Sequence, residues 1–313
     1  MTEALSKTLN HGDFDSVFQE VNQPELVNWT TEGELRLFHL NIRNNKITTD
    51  DLKKFTYLCI GDYVFSRAKM EDFEKSGSRD AVISQALRVL RKNGGADANG
   101  SGAELGEVLD YVFLEEKLNA PKLMSRLELD TRGKQYNSTC DGIHLLPRSI
   151  TGLPYHQMVF GASNIVGDLG YAIDGAFEKI CCTENCEGLE INMVNQVSLD
   201  VVAADEDIEF VKSIVLPSPN KKDKKVPVNT SYGVFLGYSL GLGTDYPVAD
   251  YETIVEEKMQ ADIKRYIPYI LQKIHDLGLG MHSFYFYLIP FQDAEKDKKA
   301  IMEAVLEGDV ELP

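Results

Sequence analysis

Three short segments, taken in chain order, constrain this chain more than anything else in it. Glu104-Leu-Gly-Glu107 lies in a stretch of helical periodicity, and Asp141-Gly-Ile-His144 opens a short apolar run. Gly161-Ala-Ser-Asn164 lies where a second apolar run passes into an amphipathic stretch. Leu105, Val108, Leu109, Val112 and Phe113 recur at the three-and-four spacing of one helix face, so the first segment belongs to a helix over residues 103–117, ended by Ala120-Pro121. The order is therefore helix with carboxylates, strand beginning with Asp, then strand running into helix. Such alternation predicts an α/β fold, a central mixed sheet flanked by helices.

The remainder of the chain continues that pattern. Alternation predicts strands over 34–42, 123–130, 141–146, 157–165 and 232–240, and the aromatic run Phe284-Tyr-Phe-Tyr287 predicts one over 283–291. Helices are expected after the cap Thr48-Thr49-Asp50, over 80–92, from Asp168, over 251–277 with a kink at Pro268, and over 294–306. Residues 94–102, Gly-Gly-Ala-Asp-Ala-Asn-Gly-Ser-Gly, read as a flexible connection and not as a phosphate loop, because no Gly-Lys-Ser/Thr follows. They divide the chain into a mostly helical N-terminal extension, residues 1–95, and an α/β core with C-terminal additions, residues 96–313. Lys221-Lys-Asp-Lys-Lys225, set among prolines, reads as an exposed basic loop.

Charge limits the function. A formal charge of −17 over 313 residues argues against strong unaided binding of nucleic acid, whose affinity comes largely from phosphate contacts. Carboxylates around a metal repel phosphate only until the metal arrives, so nucleic-acid chemistry remains open, with a partner supplying much of the grip. Five cysteines on a long chain make no disulfide framework, and Cys181, Cys182 and Cys186 lack a fourth ligand at zinc-like spacing. No apolar run approaches the roughly 18 to 20 residues that span a bilayer, and no membrane association is expected. Met1-Thr-Glu-Ala-Leu-Ser-Lys lacks the basic-then-apolar pattern of a signal peptide, so the expected location is cytoplasmic.

The opening series has the order in which a metal-dependent nuclease core presents its ligands. Hydrolysing a phosphodiester this way needs carboxylates converging on a cation, with a lysine beside them to stabilise developing charge. Asp141 begins a short strand and is followed by Gly142, which leaves room at the sheet end. Glu104 and Glu107 stand at i and i+3 on neighbouring parts of a helix surface, and Glu107 is preferred because it lies further inside the helix. Taken singly, each has an ordinary structural reading: a solvent-facing Glu, or a turn at Asp-Gly. A serine hydrolase is disfavoured, since a nucleophile elbow wants Gly where this chain has Ile165.

These motifs, with Ala172-Ile-Asp-x-Ala-Phe177 and Tyr285-Phe-Tyr-Leu-Ile-Pro-Phe291, resemble the HamA family across roughly residues 35–308. That family is the nuclease subunit of the Hachiman anti-phage defence system. The resemblance implies a PD-(D/E)xK nuclease-like core, Mg2+ or Mn2+ as cofactor, and DNA delivered by a superfamily-two, HamB-like helicase. It also implies roles: Asp141 as metal-binding Asp, and Glu107 or Glu104 as the helix carboxylate. Its Gly-Glu-Ser-Lys falls on Gly161-Ala162-Ser163-Asn164, so Ala162 and Asn164 stand where catalytic Glu and Lys are expected. Three explanations stay open. Ala162 is an introduced inactivating substitution, or a ligand has migrated (Asp168, Asp174 and Glu178 are candidates), or this copy is naturally inactive. The first gains from the fact that alanine has no chemical role at the centre of such a motif. The competing function is a catalytically inactive scaffold or regulatory subunit of a helicase complex.

Overall fold

The computed structural model describes residues 5–22, 33–92, 100–128, 140–150, 153–201 and 228–311. The Lys221–Lys225 loop and most of the 94–102 connection lie outside them. Among the described residues, seven strands form one mixed sheet. Its order is β1 (Phe18–Glu20), β2 (Gly33–Leu40), β9 (Ser283–Phe291), β8 (Val228–Ser239), β7 (Leu153–Ile165), β6 (Gly142–Ile150) and β5 (Lys122–Ser125). The four central strands β2, β9, β8 and β7 run parallel, while β1, β6 and β5 add antiparallel edges. Two short strands, β3 (Ile42–Arg43) and β4 (Lys46–Ile47), form a separate hairpin. Its two turn residues, Asn44 and Asn45, both have positive φ, as a tight hairpin turn requires.

Helices cover both faces of the sheet, which is why its central strands read as apolar runs. Helix α5 (Glu104–Glu116) lies over β7 and β8 on one face, and α6 (Leu169–Val201) crosses the same strands on the other. The aromatic strand β9 shows the division. Phe284 and Phe286 stack toward Phe177 of α6 at 6.2 and 6.4 Å between ring centres, while Tyr287 meets Phe113 of α5 at 5.3 Å. All nine residues of β9 are buried. The remaining helices are α1 (Phe14–Val17), α2 (Asp50–Val64), α3 (Arg67–Lys75), α4 (Val82–Lys92), α7 (Tyr251–Asp276), with Pro268 inside it, and α8 (Ala294–Glu307). No helix among the described residues is long and apolar enough to cross a membrane.

Two local expectations change. Alternation across 34–42 predicts a one-sided strand, yet Leu37, Phe38, His39 and Leu40 are all buried, because β2 lies inside the sheet. The strand expected over 123–130 stops at Ser125, and residues 126–128 turn helical. That bend sends Arg126 toward α5.

Buried polar groups fix the surroundings of the site. Glu115 of α5 accepts backbone N–H bonds from Thr8, Leu9 and Lys122 at 2.6, 2.8 and 2.6 Å. The buried Lys122 ammonium donates to the carbonyls of Asp62, Tyr63 and Phe65 at 2.6, 2.9 and 3.0 Å, satisfying the end of α2 that has no helical partners. Tyr63 is held in place as a result.

Candidate active site

The site forms where β6 begins and its neighbour β7 runs on, paired only with β8. Asp141 precedes β6, and its N–H donates to the Gly161 carbonyl at 2.9 Å. Its Oδ2 accepts the N–H of Ser163. The carboxylate thus lies along the edge of β7 that β6 leaves unpaired, flanking Ala162, and is only 2% exposed. Its other oxygen, Oδ1, is 2.7 Å from Lys179 Nζ of α6.

Residues along β7 point alternately to the two helices. A Cβ on Gly161 would overlap Asp110 Oδ2 of α5, and Ser163 Oγ lies 2.7 Å from where a Cβ on Gly106 would stand. These close approaches put 161 and 163 on the α5 face. Asn164 faces α6, donating from Nδ2 to the carbonyls of Tyr171 and Ala172 at 3.2 and 3.4 Å. By alternation the Ala162 side chain points to the α6 face too. Asp141 therefore sits between two layers, with Glu107 and Asp110 contributed from α5 and Lys179 from α6.

Glu107 is buried and held from both sides. Its Oε1 is 2.5 Å from Arg126 Nη1, and its Oε2 accepts the Tyr63 hydroxyl at 2.8 Å. Burial, followed by the charge of Asp141, pushes its carboxyl up to about 7, against the opposing pull of Arg126, Lys179 and the Tyr63 hydrogen bond. Asp110 lies on the same helix and is 1% exposed. Burial first, then Asp141, holds its carboxyl well above the usual range. Its Oδ1 is buried without a hydrogen-bond partner. Lys179 has a raised pKa: burial works against its charge, but Asp141 and Glu107 more than offset that.

The other expected residues have plainer places. Glu104 opens α5 and is buried. Ala162 is buried at the strand centre with no polar group to offer, and Asn164 serves the start of α6. His144 points to the Ala120 carbonyl at 2.8 Å from Nδ1, and burial lowers its pKa to about 4, so it is a neutral core residue. The candidates for a migrated ligand stand elsewhere. Asp168 accepts the Tyr171 N–H at 3.1 Å, Asp174 accepts the Tyr269 hydroxyl at 2.5 Å and pairs with Lys273 at 2.7 Å, and Glu178 is exposed. Cys181, Cys182 and Cys186 are free thiols on α6.

Four groups of the site lie outside the sequence reading: Lys179, Asp110, Arg126 and Tyr63. Asp110 had a usable signal, because Glu104, Glu107 and Asp110 form an acidic series at three-residue spacing set among the apolar positions of the helix. Lys179 is one turn beyond Gly175, whose lack of a side chain lets Asn164 approach α6. The other two arrive from distant segments with no local mark.

The donors suit a hard divalent cation. The charge of Asp141 raises the proton affinity of both Glu107 and Asp110, and Asp110 carries an orphaned buried oxygen, which is the chemistry that magnesium or manganese satisfies. The oxygens of Glu107, Asp110 and Asp141 do not all lie within 4.8 Å of one another, and Lys179 and Arg126 neutralise two of these groups. The arrangement can bind a cation, hold a proton near neutral pH on Glu107, and present a lysine to an anion. Among curated proteins none matches the chain. A family model for HamA matches residues 15–305, and the chain belongs to the HamA family, a component of the Hachiman antiviral defence system.

Proposed function

We propose that this chain is the nuclease subunit of its defence complex, a metal-dependent deoxyribonuclease centred on Asp141. Asp141, Glu107 and Asp110 are its carboxylates, with Glu104 a turn earlier on the same helix. Lys179 takes the part of the lysine absent at Asn164. The observation that carries this reading is the 2.7 Å contact between Lys179 and Asp141, made from the helix that follows the motif strand.

A bound Mg2+ or Mn2+ would polarise the phosphoryl oxygen and lower the pKa of a water molecule. Asp141, Glu107 and Asp110 would hold it. The protein groups then have separate tasks. The Ser163 N–H and the Gly161 carbonyl keep Asp141 at the sheet edge. Tyr63 and Arg126 orient Glu107 toward Asp141 as a ligand. Lys179 places positive charge where a phosphate would approach. The charge of −17 fits a subunit that receives DNA from a HamB-like helicase in the cytoplasm instead of gripping it alone.

One observation favours a second reading, a catalytically inactive scaffold of the helicase complex. Ala162 leaves the α6 face of the site without a carboxylate, while Lys179 and Arg126 already neutralise Asp141 and Glu107. Plasmid degradation with the partner helicase, ATP and magnesium separates the two. Cleavage by the chain as it stands supports the nuclease. Cleavage that appears only in Ala162→Glu supports an intact centre silenced at that position, and none in either supports the scaffold.

A further inference from the structure

A second cluster, on different elements, has the chemistry of a softer metal. His39, near the end of β2, has a side chain 2% exposed. Its Nδ1 is 2.9 Å from the Leu40 carbonyl oxygen. A carbonyl only accepts, so Nδ1 carries the hydrogen and Nε2 presents a lone pair. That Nε2 is buried without a hydrogen-bond partner. It is aimed at Glu252 Oε1, 3.9 Å away, and Glu256 Oε1, 3.7 Å away.

A lone pair facing two carboxylate oxygens is unfavourable unless something positive lies between them. A proton on Nε2 would serve poorly, because both separations exceed the roughly 3.2 Å limit of a good N–H···O bond. A cation fits better. Bonds of about 2.0–2.2 Å in tetrahedral array hold ligand atoms about 3.4 Å apart, close to the separations found. All three ligand atoms lie within 4.8 Å of one another, the one such group among the described residues. Glu252 and Glu256 are four residues apart on α7 and so rise from one face of the helix. Two carboxylates and a neutral imidazole carry two negative charges, which a dication cancels.

The frame is fixed on both sides. β2 pairs with β9 in the sheet, and Asn45 of the β3–β4 turn donates to the carbonyls of Thr244 and Tyr246 at 3.0 and 2.5 Å, just before α7. A buried imidazole whose second nitrogen is anchored to a backbone carbonyl is the usual setting of a histidine ligand. We propose that His39, Glu252 and Glu256 form a site for a divalent transition-metal cation of the zinc class, which fastens β2 to α7. Mixed nitrogen and carboxylate donors select such a cation over magnesium. Glu252 is 65% exposed, so the remaining coordination positions open to water. The site is independent of the carboxylate centre at Asp141.

The test uses the full chain, Zn2+ in titration calorimetry, and Co2+ as a visible-absorption probe. Glu252→Gln with Glu256→Gln keeps shape and leaves the buried His39 untouched; circular dichroism checks its fold. Expected is one equivalent of Zn2+ that the double variant loses or binds at least about tenfold more weakly, and that Asp141→Asn keeps. The Co2+ band and a Zn2+-induced rise in melting temperature should follow the same pattern. Zn2+ binding that is the same in wild type and double variant, absence from both included, overturns the proposal. Loss of that equivalent in Asp141→Asn alone assigns it to the other centre and overturns the proposal as well.

Discussion

Lys179 Nζ stands 2.7 Å from Asp141 Oδ1, joining the helix that follows β7 to the residue that precedes β6. Asn164, where the sequence resemblance implies a lysine, serves the start of α6. A positive charge therefore reaches Asp141 from fifteen residues further along the chain, across the α6 face of the sheet.

Replacing this cation tests it in two ways. Lys179→Met is expected to slow DNA cleavage by about 10²–10³-fold, the loss usual for one charge-stabilising donor. It should also cost about 1–3 kcal/mol of stability, less than a fully buried pair, because Lys179 is 32% exposed. Lys179→Arg should recover the stability, read by denaturant melting.

The pH dependence follows from Glu107. Its carboxyl is near 7 in the folded protein, against an ordinary value of 4.5. Between these values the folded state binds more protons than the unfolded one, so stability falls as pH rises through the window and its cost is complete above about 7. Asp110 acts with the same sign. Magnesium favours the ionised carboxylates and should raise the melting temperature more at pH 8 than at pH 5. In Glu107→Gln both the slope and the magnesium effect should shrink.

Asp110→Asn removes one of three mutually repelling carboxylates. It is expected to melt at or above the wild-type temperature at pH 8 while cleaving DNA at least about 10²-fold more slowly, the trade-off of a strained functional centre. Reduced stability with full activity would count against a role for Asp110.

Gly161→Ala places a methyl group on Asp110 Oδ2. A loss of about 1–3 kcal/mol is expected from the displacement. Gly243→Ala, in open space, is the control and should change little.

How much of this was legible in the sequence differs by element. The aromatic run at Ser283–Phe291 and the apolar stripe of α5 carry strong periodic signals, and both elements form where expected. The family resemblance and the mixed α/β sheet hold. Arg126 was hidden by an apparent strand that bends into a helical turn. Lys179 gave no local sign, because a lysine amid a long helix reads as solvent-facing until the helix is known to cross the sheet edge beside Asp141. His39 read as one step of an alternating strand, and its partners lie more than two hundred residues away.

Asp141→Asn is the sharpest probe of whether Asp141 organises a nuclease centre. Plasmid degradation is measured with the partner helicase, ATP and magnesium, in the native chain and in an Ala162→Glu background. If Asp141 is the metal-binding carboxylate, the variant should cleave at least about 10²-fold more slowly in whichever background cleaves, with fold and helicase binding intact. Undiminished cleavage in Asp141→Asn would contradict it.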